Sequence, residues 1–257
     1  LLASFVVFVE AQIEDFNLEA EQNWDTYGVG GTCIFGTQNI FVKDLDGDGA
    51  IEIITGGFTY NAENGVRLSS QAPLKVWSWN GHNVTLEASV KWDGMIRSIY
   101  AADVDSDNVV EIITFGTTWN QTGNYGSLRI WHLNSGGLSL QASSEGNIWG
   151  NSLYVSDVDL DGVLEILSVG RMQTETSNSS QLCIWRFQGG DLTLDEMINL
   201  DVANVTASNS VYATDLDNDG TVKILIGGYS DTLSNSQGQL TVWQWNSTAF
   251  ALVENKN

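Results

Sequence analysis

Two landmarks recur together four times along the chain, and a repeat of this length constrains the fold more tightly than anything else in the sequence. The first is an apolar run that leads into spaced aspartates. It reads Asn39-Ile-Phe-Val-Lys-Asp-Leu-Asp-Gly-Asp-Gly, Ser98-Ile-Tyr-Ala-Ala-Asp-Val-Asp-Ser-Asp-Asn, Ser152-Leu-Tyr-Val-Ser-Asp-Val-Asp-Leu-Asp-Gly and Ser210-Val-Tyr-Ala-Thr-Asp-Leu-Asp-Asn-Asp-Gly. The first aspartates stand at 44, 103, 157 and 215, which gives periods of 59, 54 and 58 residues. The second landmark is Leu-x-β-branched-Trp, found as Leu74-Lys-Val-Trp77, Leu128-Arg-Ile-Trp131, Leu182-Cys-Ile-Trp185 and Leu240-Thr-Val-Trp243. From first aspartate to tryptophan the distance is 33 residues in the first copy and 28 in the other three.

Each copy reads as four short strands. The apolar run before the aspartates is the first. The second follows the acidic loop, as in Ile53-Ile-Thr or Ile112-Ile-Thr, and ends at glycine. A polar loop rich in Ser, Thr, Asn and Gly is expected next, then the Trp strand. A turn such as Asn80-Gly81 or Gly189-Gly190 leads to the fourth strand, for example Thr85-Leu-Glu-Ala. No long stretch shows the 3.6-residue apolar period of an amphipathic helix. Short strands with turns at this spacing predict an all-β fold, and four strands per repeat predict the blade of a β-propeller.

The segment Asp15-Phe-Asn-Leu-Glu-Ala-Glu-Gln-Asn-Trp24 resembles the fourth-strand segment that ends at Lys91-Trp92. That alignment puts Val6 to Glu10 where a Trp strand belongs. It favours a strand over the other reading of the apolar N-terminus, the tail of a signal peptide. The expectation is a single propeller domain or segment over 1–257. It consists of a half-blade and connection over 1–38, then blades over 39–97, 98–151, 152–209 and 210–257. An unfinished blade leaves open edges that invite pairing with another chain.

Within each copy the loop follows Asp-x-Asp-x-Asp-Gly-x-x-Glu. Asp44, Asp46, Asp48, Gly49 and Glu52 meet it in full, as do Asp157, Asp159, Asp161, Gly162 and Glu165. Asp103, Asp105, Asp107 and Glu111 form another copy with Asn108 at the glycine position, a residue that tolerates left-handed backbone. Carboxylates at positions 1, 3 and 5 of a tightly curled loop converge on one point, and the acid at position 9 closes the shell. Such a set suits calcium, which takes about six to eight oxygen ligands in flexible geometry, better than magnesium, which keeps its waters. The fourth loop has Asp215, Asp217, Asp219 and Gly220 but Lys223 at position 9. A weakened site is expected there, or one in which water or the lysine itself takes the metal's place. The expectation is three Ca²⁺ sites and a fourth weakened by Lys223.

Composition sets limits on partners. The acids outnumber the bases about threefold and the net charge is −22, which argues against binding nucleic acid or anionic lipid. The four loops hold 15 of the 32 acids, so a cation-binding role accounts for much of the excess. No run of eighteen apolar residues is present, so no membrane span is expected. Cys33 and Cys183 read as small buried hydrophobes, with a disulfide left open by their separation. His82 and His132 are expected to face solvent, and neither joins a Ser/His/Asp set. Asn83, Asn120, Asn178, Asn204 and Asn246 begin Asn-x-Ser/Thr sequons, near the number that composition alone produces; they fit a secreted glycoprotein. Tyr60, Trp119, Tyr125 and Trp149 are read as loop aromatics that either stack on sugars or a partner, or cap the core.

Repeats with Asp-x-Asp-x-Asp-Gly between two strands resemble the FG-GAP/VCBS repeats of integrin α-subunit-type β-propellers. The resemblance covers residues 39 to 257 and the half-blade before them. The Gly-Ala-Pro element that partly names the family is missing, since the one proline, Pro73, lies elsewhere. Members also have more blades than the four and a half read here. The resemblance implies calcium held inside each blade, between its first two strands, in a structural role. It implies a non-enzymatic extracellular or cell-surface module for binding, adhesion or assembly, with a protein or glycan ligand or copies of itself as partner. Two alternatives stand beside it: a subunit that self-assembles into rings or filaments by completing blades between chains, and a calcium-dependent polysaccharide-active enzyme.

Overall fold

A computed structural model describes residues 39–63, 66–120, 123–173, 178–200, 206–232, 235–246 and 248–256. The half-blade expected over 1–38, together with Cys33, lies outside the described residues. Those described are all-β. The strands are β1 (Ile40–Lys43), β2 (Glu52–Gly56), β3 (Thr59–Glu63), β4 (Val66–Trp79), β5 (Val84–Ala102), β6 (Glu111–Asn120), β7 (Gly123–Asn134) and β8 (Gly137–Gly146). They continue with β9 (Ile148–Ser156), β10 (Glu165–Gln173), β11 (Asn178–Gln188), β12 (Asp191–Asn199), β13 (Ala207–Thr214), β14 (Lys223–Thr232), β15 (Asn235–Trp245) and β16 (Phe250–Lys256). Among the described residues no helix is long and apolar enough to cross a membrane.

Every pairing is antiparallel, and each repeat is an up-and-down set of four strands. The third repeat is the sheet β9-β10-β11-β12 and the fourth is β13-β14-β15-β16. The first two repeats share one eight-stranded sheet, in the order β1-β2-β4-β5-β6-β7-β8 with β3 on β4. They are joined because β5 runs unbroken for 19 residues. Its first half pairs with β4 as far as Asp93 and its second half pairs with β6 from Gly94 onward. The expected boundary at 97/98 therefore falls inside a strand. None of the three sheets closes on itself, so the structure establishes antiparallel sheets and leaves the propeller as an inference.

The core lies between repeats, not within them. Leu45, Ile54, Leu74, Val76, Ile96, Ile99 and Trp131 pack where the first repeat meets the second. Val104, Ile113, Leu128, Ile148, Leu153, Ile166 and Cys183 do so between the second and third, and Val158, Leu167, Leu182, Val211, Ile224 and Trp243 between the third and fourth. A half-polar sheet has to cover its apolar faces, and here the next repeat supplies the cover. Two of the three serines that open apolar runs have a matching task. Ser98 Oγ accepts from Leu153 N at 3.1 Å, and Ser152 Oγ from Val211 N at 3.4 Å. One position each repeat also lines up an aromatic ladder. Phe41, Tyr100, Tyr154 and Tyr212 follow one another with ring centroids 4.7, 5.5 and 4.5 Å apart.

The Trp landmark encodes an irregularity. The register between third and fourth strands shifts immediately before Trp77, Trp131, Trp185 and Trp243. Such a bulge re-aims the side chain. Three of the indoles use it to reach a hydroxyl on the second strand: Nε1 of Trp77 donates to Thr55 at 2.8 Å, Trp131 to Thr114 at 3.0 Å and Trp185 to Ser168 at 2.9 Å.

The glycine of the second strand ends that strand in the first repeat, at Gly56 of β2, but not in the other three. β6, β10 and β14 continue past Gly116, Gly170 and Gly228 into long hairpins. The glycines sit opposite a bulge in the first strand, where the facing backbone comes too close for a side chain. A Cβ on Gly170 would overlap the carbonyl oxygen of Trp149, and one on Gly228 that of Ala207. Gly170→Ala is expected to lower stability by about 1–3 kcal/mol. Gly238→Ala, with open space around it, should change it by less than about 0.5 kcal/mol. Urea midpoints at constant slope provide the comparison.

Candidate metal centres

Four loops join first and second strands: 44–51 between β1 and β2, 103–110 between β5 and β6, 157–164 between β9 and β10, and 215–222 between β13 and β14. The backbone of each curls around its own first aspartate. Oδ2 of Asp44, Asp103, Asp157 and Asp215 accepts the N–H of position 6 at 3.1, 3.0, 2.9 and 3.0 Å. Oδ1 of position 5 accepts the N–H of position 7 at 2.7 to 2.8 Å in all four.

The curl needs left-handed backbone twice per loop. Position 6 is where glycine was expected, and Gly49, Asn108, Gly162 and Gly220 all have positive φ. Position 4 is a second such place, occupied by Gly47, Ser106, Leu160 and Asn218. Leu160 at φ 63 carries the Cβ cost that glycine avoids.

The acid at position 9 turns inward. Oε2 of Glu52, Glu111 and Glu165 accepts the N–H of Leu45, Val104 and Val158 at 2.7, 3.0 and 2.9 Å. All three glutamates are buried. Burial, aided by the neighbouring aspartates, pushes Glu111 and Glu165 up to about 7 and raises Glu52, against the pull of that N–H.

Carboxylate oxygens gather within 4.8 Å of one another at Asp44, Asp46 and Asp48; at Asp103, Asp105 and Glu111; at Asp157, Asp159 and Glu165; and at Asp215, Asp217 and Asp219. The expected ligands Glu52, Asp107 and Asp161 belong to the loops but not to these tight groups. The fit to a hard cation is clearest in the second loop. Asp105 Oδ1 is buried there with no hydrogen-bond partner, and burial followed by the charge of Asp107 raises its carboxyl. An orphaned anionic oxygen beside two further carboxylates is a position that a cation would satisfy.

The last two loops contain cations of their own. Lys223 takes the place of the ninth-position acid, is buried, and approaches Asp219 at 3.4 Å and Thr221 Oγ1. Arg186, from the strand after Trp185, reaches into the third loop. The sequence reading did not anticipate it. Its signal is the residue after the tryptophan, which stands across from position 9: Ser78 opposite Glu52 and His132 opposite Glu111.

Other expected positions are resolved as follows. Trp119, Tyr125 and Trp149 lie on β6, β7 and β9 and not in loops, because the hairpins extend through those stretches. Trp119 meets Phe58 edge-on at 6.1 Å. Tyr60 lies on β3, and its side chain is outside the described residues. His82 is exposed, whereas His132 is half-buried on β7. Cys183 is buried, and burial pushes its thiol up to about 12. Asn83 and Asn246 are exposed.

No protein-family model matches the chain, and no curated protein matches it.

In chelator-treated protein the raised glutamates make stability depend on pH. A carboxyl held above its ordinary 4.5 stabilises the fold fully below that value, and the contribution is lost as pH rises through about 7. Metal-free protein should therefore melt higher at pH 5 than at pH 8. Glu111→Gln should flatten that slope in scanning calorimetry, and an unchanged slope would mean that Glu111 ionises freely.

Proposed function

We propose that this chain is an extracellular, non-enzymatic, calcium-stabilised β-propeller of the FG-GAP/VCBS kind, serving binding, adhesion or assembly with a protein or glycan partner or with copies of itself. The observation that carries the reading is the second loop, where Asp103, Asp105 and Glu111 converge with a buried, unpartnered oxygen among them. The four groups are carboxylate-only, the donor set of a hard cation. Up-and-down repeats of four strands, with β9 against both β5 and β13, support the propeller part.

Asp44, Asp46 and Asp48, then Asp103, Asp105 and Glu111, then Asp157, Asp159 and Glu165 are the residues that would hold calcium, with Asp215, Asp217 and Asp219 a fourth site weakened by Lys223. The ion would supply positive charge to carboxylates that repel one another. The chain's own backbone N–H groups orient those oxygens beforehand, which lowers the cost of organising the site. Calcium is thereby assigned to holding the blades, and recognition to surfaces elsewhere.

One apolar face among the described residues has no covering repeat. Leu74, Leu128 and Leu182 are buried by the repeat that follows, but their counterpart Leu240 is exposed, as is Tyr212 at the end of the aromatic ladder. A further repeat, from any chain, would cover that face.

Calcium binding only the folded state should stabilise it by about 2.7 kcal/mol at a hundredfold excess over Kd. Melting temperatures with calcium are expected to exceed those with EGTA by several degrees, and Asp105→Asn should remove part of the difference. Identical melts would reject structural calcium.

A further inference from the structure

The third loop matches the first two in its own residues and differs in what reaches it from outside. Arg186 Nη2 lies 2.9 Å from Asp159 Oδ2 and 2.8 Å from Glu165 Oε1. Nη1 lies 2.9 Å from Asp161 Oδ2, and Nε 2.7 Å from Asp195 Oδ2 on the outermost strand. The side chains of Asp159 and Glu165 are 1% and 0% exposed, so the guanidinium pairs the two deepest carboxylates of the loop. The hydrogen bonds of the fork run from Nη1 to Asp161 and from Nη2 to Asp159, with Asp195 beside Nε as an ion pair, an arrangement that arginine's planar geometry permits and lysine's does not.

The equivalent positions are Ser78, His132 and Gln244. In the second loop Asp105 Oδ1 is left unpartnered, where its counterpart Asp159 has Arg186. A metal at the third loop would draw on Asp157, Asp159 and Glu165, and Arg186 already holds two of these three. A dication entering beside the guanidinium would also meet its charge at short range in a largely water-free place, where repulsion is poorly screened.

We propose that Arg186 is a built-in counter-cation that excludes calcium from the third loop and closes that loop without metal. The proposal rests on the calcium reading above, and it reduces the fully functional sites among the four loops to the first two. Arg186 thus acts on metal selectivity from outside the Asp-rich motif. The motif alone counts the third loop as complete.

Terbium, a luminescent and anomalously scattering surrogate for calcium, tests this on the whole chain. Titration calorimetry of wild-type protein should count about two ions per chain, and Arg186→Gln should raise the count by about one. The variant is prepared in calcium, so that its third loop folds around the ion. Anomalous difference maps of terbium-soaked wild-type crystals give a readout independent of the variant: peaks at the first two loops and none among Asp157, Asp159 and Glu165. A wild-type peak at the third loop, or an unchanged count in Arg186→Gln with the first two loops filled, overturns the role of Arg186 while calcium binding stands. Absence of terbium from every wild-type loop overturns the calcium reading and this proposal with it.

Discussion

The hydrogen bond from the backbone N–H of position 2 to the carboxylate of position 9 ties the charged loops to the hydrophobic cores. In the first three repeats the residue at position 2 is Leu45, Val104 or Val158, and its side chain is buried in a core between repeats. Its N–H is held by a glutamate that is itself buried. Removing that acceptor would leave a buried donor unpaired, at a cost of about 1–3 kcal/mol. In the fourth repeat Lys223 stands where the glutamate belongs, and Leu216 at position 2 is 50% exposed on the face that no further described repeat covers. In the first three repeats acidic loop and apolar core are therefore joined through that hydrogen bond.

Balancing that charge is done in three ways along one chain. Among the described residues no cationic side chain pairs with the carboxylates of the first two loops, whereas the third takes Arg186 and the fourth takes Lys223. The two internal cations are not equivalent. Arg186 comes from a neighbouring strand and makes four ion pairs through a planar fork. Lys223 replaces a ligand, loses the position-2 hydrogen bond with it, and interacts with Asp217 only at 3.9 Å. Arginine neutralises the loop and spares its geometry; lysine neutralises it by giving up one of its anchors.

Much of this was legible in the sequence because repetition reveals what single propensities hide. The period, the four strands per repeat, the acidic loops and the left-handed position 6 all follow from residues that recur in register. Features that depend on one repeat touching another were not legible. Nothing local in 84–102 distinguishes a strand that ends from one that exchanges β4 for β6 as its partner. Gly116, Gly170 and Gly228 read as strand ends because glycine has poor β propensity, yet the close approach of the facing bulge is what demands them. Arg186 escaped notice because cross-strand register, not sequence distance, brings it to Glu165. Leu160 escaped notice because leucine is a poor guide to a left-handed position.

The first strand of each repeat is where these constraints meet. It carries the aromatic of the ladder and leads into the first aspartate of the loop, and in the second and third repeats it also carries the serine that binds the backbone of the next repeat. In the second repeat, Ser98, Tyr100 and Asp103 lie within six residues. Ser98 accepts from Leu153, Tyr100 meets both Phe41 and Tyr154, and Asp103 gathers the loop around its carboxylate. A shift at the loop is thus carried along a strand hydrogen-bonded to β6, directly into the contacts between repeats. Among the described residues, Arg186 and Lys223 are the basic side chains that pair with these acidic loops.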